Sequence, residues 1–193
     1  KLNEEAIFDV QCKRLHEYKR QLLKVLHILY LYNKAIADPE FIKQPIVFIF
    51  AAKASPGYAR AKNIIRLINA VSDLVNNDER TNGKLQVVFI ENYCVSAAEI
   101  MIPATDVSEQ ISTAGMEASG TGNMKFMMNG AVTIGTMDGA NVEIFEQVSK
   151  DNMYIFGCSS DEIFSMKNHH SYRPADVYEH DIELRNVLSR LVD

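Results

Sequence analysis

"IVFIFAAKASPGY", Ile46–Tyr58, decides the fold. Its first five residues are all apolar and do not alternate with polar ones, so the strand they predict must be buried on both faces. Only a sheet covered on two sides accepts such a strand. "AAKASPGY" then turns the chain into a helix, with Ser55 expected as N-cap and Pro56 at the first helical position. That helix carries Tyr58, Ala61, Ile65, Ile68, Val71 and Val75 at helical spacing, with Arg60, Lys62, Arg66 and Asn69 elsewhere on its circumference.

The same alternation extends in both directions. Upstream, "AIFDVQ" reads as a strand feeding a helix from about Leu15 to Ala37, whose leucines, isoleucine and valine cover most of its circumference and predict burial between other elements. "DPEFIKQP" ends it. Downstream, "LQVVFI" reads as a second buried strand that closes on "ENYCVS", and "SAAEIMIPA" is a short helix. Past a glycine-rich segment come the strand "AVTIGT", the turn "MDGAN" with Asn141 as expected N-cap, the helix "VEIFEQV" and the strand "NMYIFG". Helices follow at "SSDEIFSM" and over "DVYEHDIELRNVLSRLV". Strands alternating with helices predict an α/β domain, a Rossmann-like parallel sheet flanked by helices, over residues 1–193. Ligands in such sheets sit at the carboxyl ends of the strands, where "AAKASPG" and "ENYCVS" both fall.

Composition narrows the functional classes. The formal net charge of −5 argues against a nucleic-acid partner, which demands a basic footprint. No apolar run is long enough to span a bilayer, and "KLNEEAIFDV" does not read as a secretory leader. Cys12, Cys94 and Cys158 show no metal or redox spacing, which predicts reduced thiols and a cytoplasmic setting. Lacking an initial methionine and ending within a helical pattern, the sequence reads as a fragment of a longer chain.

Two segments carry candidate chemistry. In "STAGMEASGTGNMKF", Ser112–Phe126, the run Gly120-Thr121-Gly122 leads into a helix starting near Asn123. Backbone N–H groups at such a start, with the helix dipole, form an anion site. The spacing is neither G-x-G-x-x-G nor a P-loop. Lys125 lies about one helical turn further on; desolvated, such an amine becomes a nucleophile toward an aldehyde. A phosphate cradle beside a reactive lysine suggests a phosphorylated aldehyde such as pyridoxal phosphate, although a lysine in a first helical turn is more often simply solvated. In "CKRLHEYKRQLLK", Lys13, Arg14, Lys19, Arg20 and Lys24 cluster just after the first strand. Arg14 and Lys19 converge on one anion only if Arg14 lies in the strand–helix turn and Lys19 in the first helical turn. The alternative is ordinary surface charge, with Glu17 pairing with Lys13 or Arg20.

"KRLHEYKRQLL", "ENYCVSAAEIMIPATDVSEQISTAG" and "EASGTGNMKFMMNGAVTIGTMDGANVE" together resemble the carboxyl-terminal domain of the α-glucan phosphorylases, the glycogen, starch and maltodextrin phosphorylase family. The similarity runs from about Phe8 to Val148 and more loosely beyond. It implies cleavage of terminal α-1,4 bonds of a glucan by inorganic phosphate, releasing glucose 1-phosphate with retained configuration. It also implies the two-domain GT-B architecture, with this chain as most of the second domain and the amino-terminal domain absent, and a homodimeric parent. Carried over to this sequence, Lys125 would form the Schiff base with pyridoxal phosphate. Lys13, Thr121 and Gly122 would hold the cofactor phosphate, and Tyr93 would lie against the cofactor. Arg14 and Lys19 would bind the substrate phosphate, while Tyr18, Glu117, Ser119 and Gly120 would contact hydroxyls of the glucosyl unit. No metal is implied. Ala52 stands where the family usually carries glycine, and Met116 where a polar residue is expected; neither touches the named chemistry. Met101, Met124, Met127, Met128 and Met137 are expected as core filler, His169-His170 as a loop without a metal, and His16 in a structural role.

Overall fold

In the computed structural model, which describes residues 2–192, six strands form one parallel sheet: β1 (Ile7–Cys12), β2 (Ile46–Ala51), β3 (Leu85–Ile90), β4 (Val107–Gln110), β5 (Val132–Gly135) and β6 (Met153–Ile155). Their order across the sheet is β3-β2-β1-β4-β5-β6. The alternation read from the sequence therefore gives the Rossmann-like α/β class expected. Residues of β2 separate cleanly onto the two faces. Phe48 and Phe50 join a core with Val25, Ile28 and Leu29 of α1 (Gln21–Ala37) and Ile68 and Val71 of α2 (Ala59–Asn76). Val47 and Ile49 face the opposite way, against Met101 of α3 (Val95–Met101) and Phe126 of α4 (Gly122–Met128). Full burial of each such side chain contributes about 1.5–3 kcal/mol, which explains the unbroken apolar run. The remaining helices are α5 (Asn141–Val148), α6 (Ser160–His169), α7 (Pro174–His180) and α8 (Ile182–Leu188).

Several local expectations are corrected. β4 was not anticipated, because "VSEQ" is polar; yet Ser108, Glu109 and Gln110 are buried. The first helix starts at Gln21, not Leu15. A 3₁₀ turn over Glu17–Lys19 precedes it, and Arg20 breaks the two apart in the left-handed region at φ 58°. Leu22 and Leu23 are exposed on α1, whereas Gln21 and Lys24 are buried, so its buried face is narrower than expected. Lys24 does not belong to a surface cluster. Its amine lies 2.5 Å from Asp9 Oδ1 and 3.8 Å from Glu109 Oε1, within reach of the Phe48 and Phe50 rings.

The helix after β2 starts at Ala59. Ser55–Tyr58 instead closes as a turn, the Tyr58 N–H donating to Ser55 O at 3.0 Å, with Pro56 at the second position that its fixed φ suits. Glu17 pairs with Arg60 at 2.5 Å and accepts from the Tyr58 hydroxyl at 2.6 Å, not with Lys13 or Arg20. Asn141 is the first residue of α5 and not its cap. The tail forms two helices, because the Asp181 side chain accepts from the Leu184 N–H and starts α8 afresh. Of the methionines expected in the core, Met101 is buried, while Met124 and Met128 are exposed. The three cysteines are unbridged, and among the described residues no helix is long and apolar enough to cross a membrane.

Candidate functional site

From β1 the chain moves outward to β2 and β3, then returns to place β4 on the other side of β1. That reversal opens a crevice at the carboxyl ends of β1 and β4. The segments leaving those two ends are Lys13–Lys19 and Ile111–Gly122, so the topology itself brings the two candidate segments together.

An inner cavity of about 190 Å³ is lined by Lys13, Lys19, Tyr93, Glu117, Ser119, Gly120, Thr121, Gly122 and Lys125. An adjoining cavity of about 520 Å³ is lined by Arg14, Lys53, Tyr93 and Lys125, with residues of α3. Tyr93 and Lys125 belong to both walls. The Tyr18 ring lies beneath the Lys19 amine, 4.8 Å from its centroid, and its hydroxyl is 3.5 Å from Glu117 Oε1. Every residue to which the resemblance gives a cofactor or substrate role is therefore at this crevice. Arg14 and Lys19 do not converge in this state, however. Arg14 lines the outer cavity, while Lys19 is held at 2.6 Å by Glu117.

Lys13 is the perturbed cation of the inner cavity. Burial lowers its pKa to about 8; Glu117 pulls it upward and Lys19 further down. Its amine donates to Gln110 Oε1 at 2.7 Å, and Gln110 in turn donates to Ser108 Oγ at 2.9 Å. The partner of Lys13 is thus neutral, and its charge remains available to an anion. Gly120, at φ 73°, turns the chain into α4, whose first N–H groups have no intrahelical acceptor. The Lys125 side chain is exposed at the mouth. Cys12, beside Tyr93, is pushed by burial up to about 11, so its thiol stays protonated and is no nucleophile.

A buried polar layer supports the cavity, and sequence reasoning missed it. Asp138 accepts from the Ser112 hydroxyl at 2.8 Å and from the Gly115 and Glu117 N–H groups, each at 2.9 Å. Asn141 donates to Gln110 O and Thr136 O and accepts from Asn123. Asp138-Gly139 had been legible only as a tight turn; Gln110 gave no signal. Among the described residues no group of His, Cys, Asp and Glu is arranged to hold a metal, and His170 ends α6 in the left-handed region.

Fold and crevice define an α/β protein with a lysine-lined crevice at the switch point of a parallel sheet, beside an accessible amine. A family model described as carbohydrate phosphorylase matches residues 1–193, and the chain belongs to that family. It is 57% identical over 192 residues to glycogen phosphorylase of Bacillus subtilis (strain 168), covering 100% of this chain and 24% of that protein. It is 53% identical over 191 residues to the liver form of glycogen phosphorylase from Homo sapiens, covering 99% and 22%. With the muscle form from Rattus norvegicus it shares 51% identity over 190 residues, covering 98% and 22%. The chain spans about a quarter of the length of these curated relatives.

Proposed function

We propose that this chain is the cofactor- and phosphate-binding part of an α-1,4-glucan phosphorylase, which uses inorganic phosphate to release glucose 1-phosphate from glycogen or a related glucan. The observation that carries the reading is the single crevice where Lys13, the Gly120–Gly122 turn, the Lys19–Glu117 pair and Lys125 meet. In this reading residues 1–193 are most of the second domain of a GT-B enzyme. The other cleft wall comes from an amino-terminal domain outside this chain, and the parent is a cytoplasmic homodimer.

The residues fit pyridoxal phosphate. Lys125 and Tyr93 line both cavities, and Lys13, Thr121 and Gly122 line the inner one; Lys125 would be the covalent anchor, Tyr93 would lie against the ring, and Lys13, Thr121 and Gly122 would hold the phosphate. When bound, the group supplies an ester phosphate, with a second pKa near 6, that exchanges a proton with a neighbouring phosphate. The chain's own residues do the rest. Lys19 and Arg14 bind the substrate phosphate and offset repulsion between two adjacent anions, which at about 4 Å separation is several kcal/mol in a partly dry site. Lys19 leaves Glu117 to reach that phosphate, and this frees the Glu117 carboxylate, with Tyr18, Ser119 and Gly120, for hydroxyls of the glucosyl unit. The substrate phosphate then donates its proton to the glycosidic oxygen, so no carboxylate pair of the hydrolase kind is needed.

Borohydride reduction of the full-length parent should leave a pyridoxyl adduct on Lys125, and the parent should release glucose 1-phosphate from glucan and phosphate. Absence of the adduct would point to a regulatory phosphate- or nucleotide-binding module. An adduct without phosphorolysis would point to a pyridoxal enzyme acting on amino acids.

A further inference from the structure

Asp138 takes no part in the chemistry above, yet the sugar-facing wall hangs from it. It is buried in the turn between β5 and α5. Its Oδ2 receives the Ser112 hydroxyl and the backbone N–H of Glu117, and its Oδ1 receives the N–H of Gly115. The segment it holds, Ile111–Thr121, has no regular secondary structure. Its other fixings come from outside as well. Arg20 Nε donates to Ile111 O at 2.6 Å, Thr136 Oγ1 donates to Ser112 O at 2.6 Å, and the Ala140 N–H donates to Ser119 O at 3.0 Å. The neighbour Gly139 completes the mould. At φ +54° it packs so closely that a Cβ there would sit 2.5 Å from Ala118 O. A loop fixed at Ile111, Ser112, Gly115, Glu117 and Ser119 presents Glu117 at one height only, facing Lys19 and Tyr18.

We propose that Asp138 is a positioning residue for sugar recognition: by receiving the backbone N–H of Glu117 it sets where that carboxylate meets the glucosyl hydroxyls, and so sets hydroxyl specificity. The inference rests on the phosphorylase reading given above. Asp138 borders the same cavity as Lys13, Gly122 and Lys125, but its hydrogen bonds go to Ser112, Gly115 and Glu117 and not to the phosphate grip or the anchor. Charge-assisted bonds to backbone N–H groups are the strong kind, and an amide cannot replace them in full. With its oxygen at the Oδ2 place, an asparagine turns its NH₂ against the Gly115 N–H; flipped, it turns its NH₂ against the Glu117 N–H and can only donate to the Ser112 hydroxyl.

The test is a double-mutant cycle in the full-length parent, using Asp138→Ala and Glu117→Gln with glucose 1-phosphate and its monodeoxy analogues as donors in the synthetic direction. The wild type should reject the analogue lacking the hydroxyl that Glu117 binds, and Asp138→Ala should shrink that rejection by about tenfold or more. The absorbance of the bound cofactor should stay that of wild type, because neither its anchor nor its phosphate grip is bonded to Asp138. In the Glu117→Gln background, adding Asp138→Ala should cost at most about twofold further, since one residue acts through the other. Additive losses, equal losses for every analogue, or a changed cofactor absorbance would overturn the proposal. Should Asp138→Ala not fold, Asp138→Asn goes through the same cycle with an intermediate effect expected and the same outcomes decisive. A wild-type parent that forms no glucose 1-phosphate sinks the phosphorylase reading instead; an active parent with an additive cycle sinks this inference alone.

Discussion

Lys13 shows how a single neighbour decides what a buried cation can do. A carboxylate in place of Gln110 would neutralise the amine and occupy its donors. The neutral amide fixes it at 2.7 Å and leaves the charge unspent. Burial meanwhile lowers the pKa to about 8, so the amine of the empty site is partly neutral in mildly alkaline solution. An anion arriving there favours the charged form and must draw in a proton. At pH 8.5 the binding of inorganic phosphate to the cofactor-free protein should take up as much as about three quarters of a proton per site. Calorimetry in buffers of different ionisation enthalpy reads that uptake directly. Lys13→Arg, charged throughout, should bind with none. Uptake unchanged in the arginine variant would mean that another group carries the titration. The sequence made Lys13 legible as one of several basic residues after a strand. It gave no hint of Gln110, because a glutamine in an unremarkable polar stretch announces nothing until the fold brings it across.

Strand β4 is where this kind of reading fails for a physical reason. β2 and β3 are apolar where both sheet faces meet helices, and that pattern survives in the one-dimensional string. β4 lies equally deep, but its side chains answer other polar groups. Glu109 faces Lys24 and Asp9, and Gln110 faces Lys13 from the opposite side of the sheet. Burial of this sort is paired across elements far apart in sequence, so no local period records it. The break at Arg20 was hidden for a similar reason, since its left-handed backbone is stabilised by carbonyls of Ile111 and Ser112.

The buried charges of β4 make a prediction about stability. Burial pushes the Glu109 carboxyl up to about 7; Lys24 opposes the rise and Asp9 adds to it. Desolvation also lowers the pKa of His27. A carboxyl with a folded pKa above its unfolded value of 4.5 holds an extra proton in the folded state between the two. Its contribution to stability is therefore full below about pH 4.5 and is lost as pH rises toward 7. Glu109→Gln should remove that share of the slope. The gap between variant and wild-type urea midpoints should widen in the variant's favour from pH 5 to pH 7.5, at unchanged m. A gap independent of pH would show that Glu109 keeps its ordinary ionisation.

At the scale of the whole molecule, the strand order alone explains why the candidate residues meet. A parallel sheet that winds outward and then restarts on its first strand leaves one crevice, and the segments after β1 and β4 both empty into it. The crevice as it stands has one wall. Arg14, Ser119, Gly120, Thr121 and Lys125 are open to solvent, and Val95, Ile100, Met116, Met124 and Met128 expose apolar surface in the segments that form or flank it. Apolar surface of that kind marks a contact to be covered. Water at the site also weakens every electrostatic term on which phosphate-driven glycosyl transfer depends. Orientation across a complete cleft is worth as much as about 7–11 kcal/mol of the barrier, a factor no single wall supplies. The isolated 193-residue chain, once shown by circular dichroism to be folded, should retain cofactor binding that depends on Lys13 while releasing no glucose 1-phosphate from glucan. Adding the separately produced remainder of the parent should restore release, because the missing factor is geometric and not chemical. Turnover by the isolated chain alone would show that the sheet-end wall suffices, and the division of labour between two domains would have to be abandoned.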